Sequence, residues 1–404
     1  MRYLNLALSG LVFVVSGFNF LNAQQKQETE IPNAPFFKFG SGLAIKSDDD
    51  IFRMNFRFRM QNRASYTLDK DKNKTINGQI RRLRLRFDGH IGNPNLIYLI
   101  QLSFSPGDTG GELIEGENLN VIRDAVFYYR AGKGLTIGFG QAKLPGNRQR
   151  VNSSAAMQLT DRTINNNRFN IDRDFGLFTN YEKKISNSNA VFILRSALSN
   201  GEGRNFTTVQ NTGLCFTNKF EFLPFGKFNK DGAYFEGDVL REETPKLMIS
   251  GAYYYNHNTT KLAGQLGERI QGAMNLQGWF VDAVFKYKGF AGMYSYMSRD
   301  GNFNEVKNLE NKSLTVFKGS GQDFQLSYFI SKNWELILKY SNIQTHKAVK
   351  EKLGNFDQSG IGFTRYLWQH AFKIQTEFAT DRNLIPGKPN QQSYFGRVQA
   401  EVGI

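Results

Sequence analysis

Phe52-Arg-Met-Asn-Phe-Arg-Phe-Arg-Met60 and Arg82-Leu-Arg-Leu-Arg-Phe87 decide how this chain is read. Successive side chains of an extended strand leave on opposite faces. The first run therefore puts Phe52, Met54, Phe56, Phe58 and Met60 on one face and Arg53, Arg57 and Arg59 on the other, with Arg63 continuing the phase. The second sets Arg82, Arg84 and Arg86 against Leu83, Leu85 and Phe87. A transmembrane barrel supplies lipid for the greasy face and a wet lumen for the cationic one. In the opposite phase each arginine would enter hydrocarbon, at roughly 2–4 kcal/mol near the midplane.

The same alternation recurs outward from this hairpin in sixteen runs of about ten residues, the first at 51–66 and the last at 391–404. Tight turns such as Gly92-Asn-Pro94 and Lys288-Gly289 alternate with long polar stretches such as 67–78, 106–119 and 144–173. That rhythm predicts an all-β fold: an antiparallel transmembrane β-barrel of about sixteen strands, short turns at one end and long loops at the other. Residues 224–245 interrupt it where a short turn is due, and two strands hidden there would make eighteen; sixteen is the preferred count. The last run keeps its alternation to Ile404, as expected of a strand that closes the barrel against the first.

Composition agrees. Mean hydropathy is −0.45, and beyond the first two dozen residues no stretch approaches the roughly 18 apolar residues of a spanning helix. Arg2, the apolar stretch Leu4 to Phe20 and a small residue at Ala23 read as an export signal over 1–23, followed by a lead-in over 24–50 and the barrel over 51–404. The formal charge of +15 falls to +14 without Arg2. It is interleaved with apolar residues, and export argues against nucleic acid as a partner. Cys215 stands alone, so no internal disulfide forms, and a strand residue is its simplest reading.

Catalytic signatures are missing. His90, His257, His346 and His370 are scattered, with no metal-ligand spacing. Gly132, Gly134, Gly138 and Gly140 suit a turn running into a strand better than a phosphate loop. No catalytic, metal or cofactor residue is assigned. Arg53, Arg57, Arg59, Arg63, Arg82, Arg84 and Arg86 are read as an anion pathway, because guanidinium stays charged and its fork matches two oxygens of phosphate or carboxylate. Several shallow sites in series allow conduction. The competing account has these arginines neutralised by acids such as Asp88 and Asp124, although the first strand carries no acid between Ile51 and Leu68. The long stretch 144–173 holds Arg148, Arg150, Arg162, Arg168 and Arg173, with Lys143 just before. An inward fold, forming a constriction loop, is preferred over a solvated surface loop.

These residues resemble the phosphate-selective porins O and P, especially the versions of Bacteroidetes-type bacteria. The likeness rests on the arginine hairpin, Gly140-Gln-Ala-Lys-Leu-Pro145, Arg173-Asp-Phe-Gly176 and Arg241-Glu-Glu-Thr-Pro-Lys246, and it extends over most of 36–404. The resemblance implies a homotrimer of sixteen-stranded barrels, an arginine ladder on Arg53, Arg57, Arg59, Arg82, Arg84 and Arg86, and a constriction at Lys143 and the 144–173 loop. The expectation is an outer-membrane porin of a Gram-negative bacterium, in contact with lipid and lipopolysaccharide. It would pass inorganic anions, phosphate or polyphosphate among them. The alternatives are a general diffusion porin with balanced lumen charges and a non-channel barrel, either enzyme or adhesin.

Overall fold

Hydrocarbon offers no partner for backbone N–H and C=O groups, so strands that face lipid must close into a ring. The computed structural model, which describes residues 36–38, 42–109, 120–205 and 213–404, contains such a ring. The expected export signal, 1–23, and the lead-in as far as residue 35 lie outside the described residues. The ring begins with β1 (Phe52–Leu68), β2 (Lys74–Ile91), β3 (Asn93–Ser103), β4 (Ile122–Gly132), β5 (Leu135–Lys143), β6 (Arg173–Lys184), β7 (Val191–Ser199) and β8 (Cys215–Leu223). It continues with β9 (Lys246–Lys261), β10 (Arg269–Tyr287), β11 (Phe290–Gly301), β12 (Gly319–Phe329), β13 (Trp334–Thr345), β14 (Asn355–Trp368), β15 (Phe372–Leu384) and β16 (Gln391–Gly403).

Each strand pairs antiparallel with the next, and β16 returns to β1, from Tyr394 opposite Leu68 to Gly403 opposite Arg59. The Ile404 N–H still donates to the Phe58 carbonyl at 3.1 Å. Below that point the edge of β1 is taken by a short lead-in strand, Gly42–Lys46, with Leu43 opposite Phe56 and Lys46 opposite Arg53. Gly42 makes this approach possible: its φ is +82°, and a Cβ there would lie 2.1 Å from the Phe56 carbonyl oxygen.

Burial is the reverse of a soluble protein's. Phe127 is 57% exposed and Leu326 50%, whereas Lys373, Glu377 and Gln399 are each 0%. The outward set is an apolar band for lipid, and the polar set faces in. The inward wall is not uniformly polar. Leu144, Phe169 and Ile171, from the segment after β5, pack with Met274, Leu276 and Phe280 of β10. Phe228 and Ala233, from the connection after β8, pack with Val191, Ile193, Met248 and Val284.

Residues 224–245 contain no strand, only a 3₁₀ turn over Asn229–Tyr234, so the ring has sixteen strands and not eighteen. The expected loop 67–78 is corrected: Leu68 faces Lys74, and only 69–73 turn. Lys74-Thr-Ile-Asn-Gly-Gln79 holds a single large apolar residue, Ile76, too few to read an alternation, but the backbone ladder carries the hairpin onward. Cys215 opens β8 and is buried.

Sidedness has a direct test. Phe324→Arg on β12 or Leu338→Arg on β13 puts a cation on the outward face, and each is expected to lower stability in lipid vesicles by about 2–4 kcal/mol. Urea unfolding of the reconstituted variants measures it, and tolerance of both substitutions would contradict this orientation.

Candidate pore-lining site

Because cross-strand partners share a face, β1 and β2 place Arg57 opposite Arg86 and Arg59 opposite Arg84, all pointing inward. The hairpin then bulges: Gln61 opposes Arg82, but Asn62 opposes Ile80. The extra residue turns Arg81 toward the same side as Arg82, so Arg81 joins a row that period-two reading leaves it out of. The doublet Arg81-Arg82 was the available signal.

Six of the seven expected pathway arginines meet carboxylates. Asp88 takes Arg57 at 3.0 Å and Arg86 at 2.8 Å. Glu401 of β16 takes Arg59 at 2.6 Å and Lys373 at 3.4 Å. Asp161 takes Arg63 and Arg81 at 3.0 Å and Arg82 at 3.4 Å. Asp108 pairs with Arg84, and with Arg123 at 2.9 Å. Among the described residues, Arg53 alone makes only a 3.4 Å bond, to Asn55. Of the two acids expected as neutralising partners, Asp88 acts so, whereas Asp124 binds Arg173 through two 2.9 Å bonds. Nine cations share four carboxylates here, a surplus of five positive charges among the described residues.

Exposure falls along the row. The Arg57 and Arg86 side chains are 36% and 38% exposed, whereas those of Arg59, Arg63, Arg82 and Arg84 are nearly buried. Asp161 and Asp108 lie in connections between strands and Glu401 on the closing strand, so the neighbourhood of the first hairpin did not reveal them. Arg123 and Lys373 were missed likewise.

The cations expected in the 144–173 stretch separate into kinds. Arg148 is buried, donating Nε to the Ala233 carbonyl at 2.9 Å, with its own N–H on Asp282 of β10 at 2.9 Å. Arg150 pairs with Asp172. Arg173, at the start of β6, is fully engaged by Asp124 and Asp172. Lys143 and Arg162 form no ion pair among the described residues. Lys143 Nζ donates to the carbonyls of Val151 and Asn152 at 2.8 and 2.9 Å. Arg162 donates to the carbonyls of Gln149 and Asn152 at 2.6 and 3.3 Å. Arg168 lies over the rings of Phe317 and Phe356.

The same segment bonds to inward side chains around the ring. Thr163 donates to Asp323 of β12 at 2.8 Å, the Thr160 N–H to Glu377 of β15 at 3.1 Å, and Lys373 of β15 to the Ala155 carbonyl at 2.6 Å. Ser154 Oγ accepts from Arg59 at 2.8 Å and Arg84 at 3.0 Å. Among the described residues, no group of three or more His, Cys, Asp or Glu is placed to hold a metal ion.

A ring of sixteen strands with cations gathered on its inner face can be compared with known proteins. Residues 52–222 match the phosphate-selective porin O and P family. The match covers less than half of the chain, and together with the closed barrel it likens this part of the chain to an outer-membrane porin. Among solved structures it is similar to the outer membrane channel DcaP of Acinetobacter baumannii, at 13% identity over 90% of this chain and 100% of that one, TM-score 0.52. It is also similar to an anion-selective porin of Comamonas acidovorans, at 11% identity over 87% and 99%, TM-score 0.53. A trimer form of Vibrio cholerae OmpT matches at 10% identity over 87% and 99%, TM-score 0.50. At such identities the likeness is one of fold. No curated protein matches this chain.

Burial alone would raise the Asp161 carboxyl, but Arg82, Arg81 and Arg63 outweigh it and hold it well below the usual carboxylate range. A depressed carboxyl gives its full stabilisation above its unfolded value, about 3.9, and loses it only as pH falls through the folded one. Channel current in planar bilayers is therefore expected to stay steady from neutral pH to about 4 and to become noisy only below. Asp161→Asn removes the anchor at every pH, at about 3–5 kcal/mol for a broken buried pair, and is expected to give that noise already at neutral pH.

Proposed function

We propose that this protein is a passive outer-membrane porin that prefers anions, inorganic phosphate and polyphosphate among them. Arg53, Arg57, Arg59, Arg63, Arg82, Arg84 and Arg86, with Arg81, form its cationic wall. In this reading segment 144–173 crosses the lumen and narrows it. Its bonds to Asp282, Asp323, Glu377 and the paired arginines support this, because those side chains belong to strands far apart around the ring. Arg148 and Arg173 then act as its fastenings. Lys143 and Arg162, with Arg150 beside them, are the charges an anion meets at the narrowest point.

The observation that carries the proposal is that Lys143 and Arg162 both rest on the Asn152 carbonyl, and among the described residues neither has a carboxylate within ion-pair distance. A neutral carbonyl holds an ammonium in place yet leaves its charge for a passing anion, and such a stop is attractive but shallow. Residues 1–23 would direct export, and the outward apolar band would meet lipid and lipopolysaccharide. A homotrimer fits the family, and the V. cholerae relative has been solved in a trimer form.

One specific observation favours the second reading, a general diffusion porin: six of the seven pathway arginines are paired with acids. Reversal potential under a KCl gradient separates the two. The wild type is expected to move toward the chloride potential, and Lys143→Gln with Arg162→Gln is expected to lose most of that preference and weaken phosphate block about tenfold, as for a lost charged hydrogen bond. Cation preference in the wild type, or a double variant that conducts unchanged, would end the anion reading.

A further inference from the structure

Arg168 differs from every other arginine of its segment. It sits on the short helix Ile164–Phe169, whose Thr163 cap accepts from the Asn166 N–H. Its guanidinium carbon lies 5.3 Å from the Phe317 ring centre and 5.1 Å from that of Phe356. Two rings hold the planar group without using its N–H donors, since a cation over a π face needs no hydrogen bond. Among the described residues it has neither a carboxylate nor a carbonyl partner. A held, planar and unspent fork of donors is what bidentate recognition of an oxyanion requires.

The fork opens on a cavity of about 560 Å³ at the end of the barrel that carries the long connections. An inorganic anion fills a small part of that space, and the volume is in the range of sites for small organic molecules. The rest of the lining sets the chemistry. Phe356 offers an apolar surface, while Asn383, Gln391 and Ser393 offer hydroxyl-matching groups. Apart from Arg168, three carboxylates on the lining, Asp69, Asp357 and Asp381, face two cations, Lys70 and Arg382, so the rest of the wall disfavours a second negative charge on a bound solute; Asp381 already accepts from Gln358 at 2.6 Å.

We infer that this cavity is a capture site for a hydroxylated organic monoanion of the sugar-acid class, with Arg168 gripping the carboxylate. Asn383, Gln391 and Asp381 take the hydroxyls. The inference rests on the porin reading for its use, because a solute docked here is held at the mouth of the passage. The site itself is defined by its own side chains and is separate from the cations near Asn152.

Calorimetric titration of the detergent-solubilised full-length barrel tests binding without any need for conduction. Glucuronate is expected to bind, with glucose and inorganic phosphate each at least tenfold weaker, and glucose 6-phosphate distinguishes a phosphate from a carboxylate as the gripped group. Arg168→Gln is expected to weaken glucuronate at least tenfold, and Arg168→Lys, which keeps the charge and loses the fork, to fall between. Both variants should keep the wild type's heat-modifiable migration, which reports the folded barrel. Glucuronate binding that is absent, no tighter than glucose or phosphate, or untouched by Arg168→Gln would overturn the assignment. Glucose 6-phosphate binding more tightly than glucuronate would overturn the sugar-acid class. Cation-selective current in the same preparation would refute the anion-porin reading and leave the titration result standing.

Discussion

Everything in this structure follows from where its main-chain hydrogen bonds have to go. In hydrocarbon an unpaired N–H or C=O costs several kcal/mol, so a sheet with a lipid-facing side has to end on itself. The pairing of β16 with β1, continued below by Gly42–Lys46, completes that ring. Once it is closed, the period-two geometry of every strand assigns each side chain to lipid or to the interior. Phe56 and Phe87 can then meet outside, ring centres 5.3 Å apart and tilted by 46°, while their neighbours Arg57 and Arg86 point inward.

Closure creates an electrostatic difficulty. Arginines on adjacent inward positions repel one another, and with their desolvation cost only partly relieved they would push the wall apart. Acids brought in from elsewhere relieve this: Asp108 and Asp161 from connections, Glu401 from the closing strand. The hairpin and segment 144–173 are thus mutually dependent, because the charges that crowd the wall also fasten the segment against it. The connection 224–245 joins in from the other end, where Glu236 accepts from the Gln158 N–H at 3.1 Å and donates its own N–H to the Ala156 carbonyl at 2.8 Å.

Legibility tracked periodicity. All sixteen strands were readable because apolar outward residues recur every second position even where the inward ones vary. What failed to show was what has no period. The bulge that turns Arg81 inward is a one-residue event, and in β2 above Gln79 Ile76 is the one large apolar residue. Residues 224–245 stood out by length, but their content, Phe228 and Ala233 packed on the inner wall, gave no pattern to follow. The pairing of arginines with Asp161 and Asp108 depends on contacts 80 and 24 residues apart in sequence, and single-strand reasoning does not see them. A row of like charges was visible; its counter-ions were not.

Asp161 has a consequence for how such a passage behaves. One carboxylate is shared by three guanidinium groups, so the tether that holds the segment is itself an oxyanion, the kind of group the proposed passage would carry. Any oxyanion that docks on this wall competes with Asp161 for the same forks. In the anion-porin reading, traffic and architecture would then be in mass-action exchange, a crowded passage loosening its own fastening and an idle one tightening it.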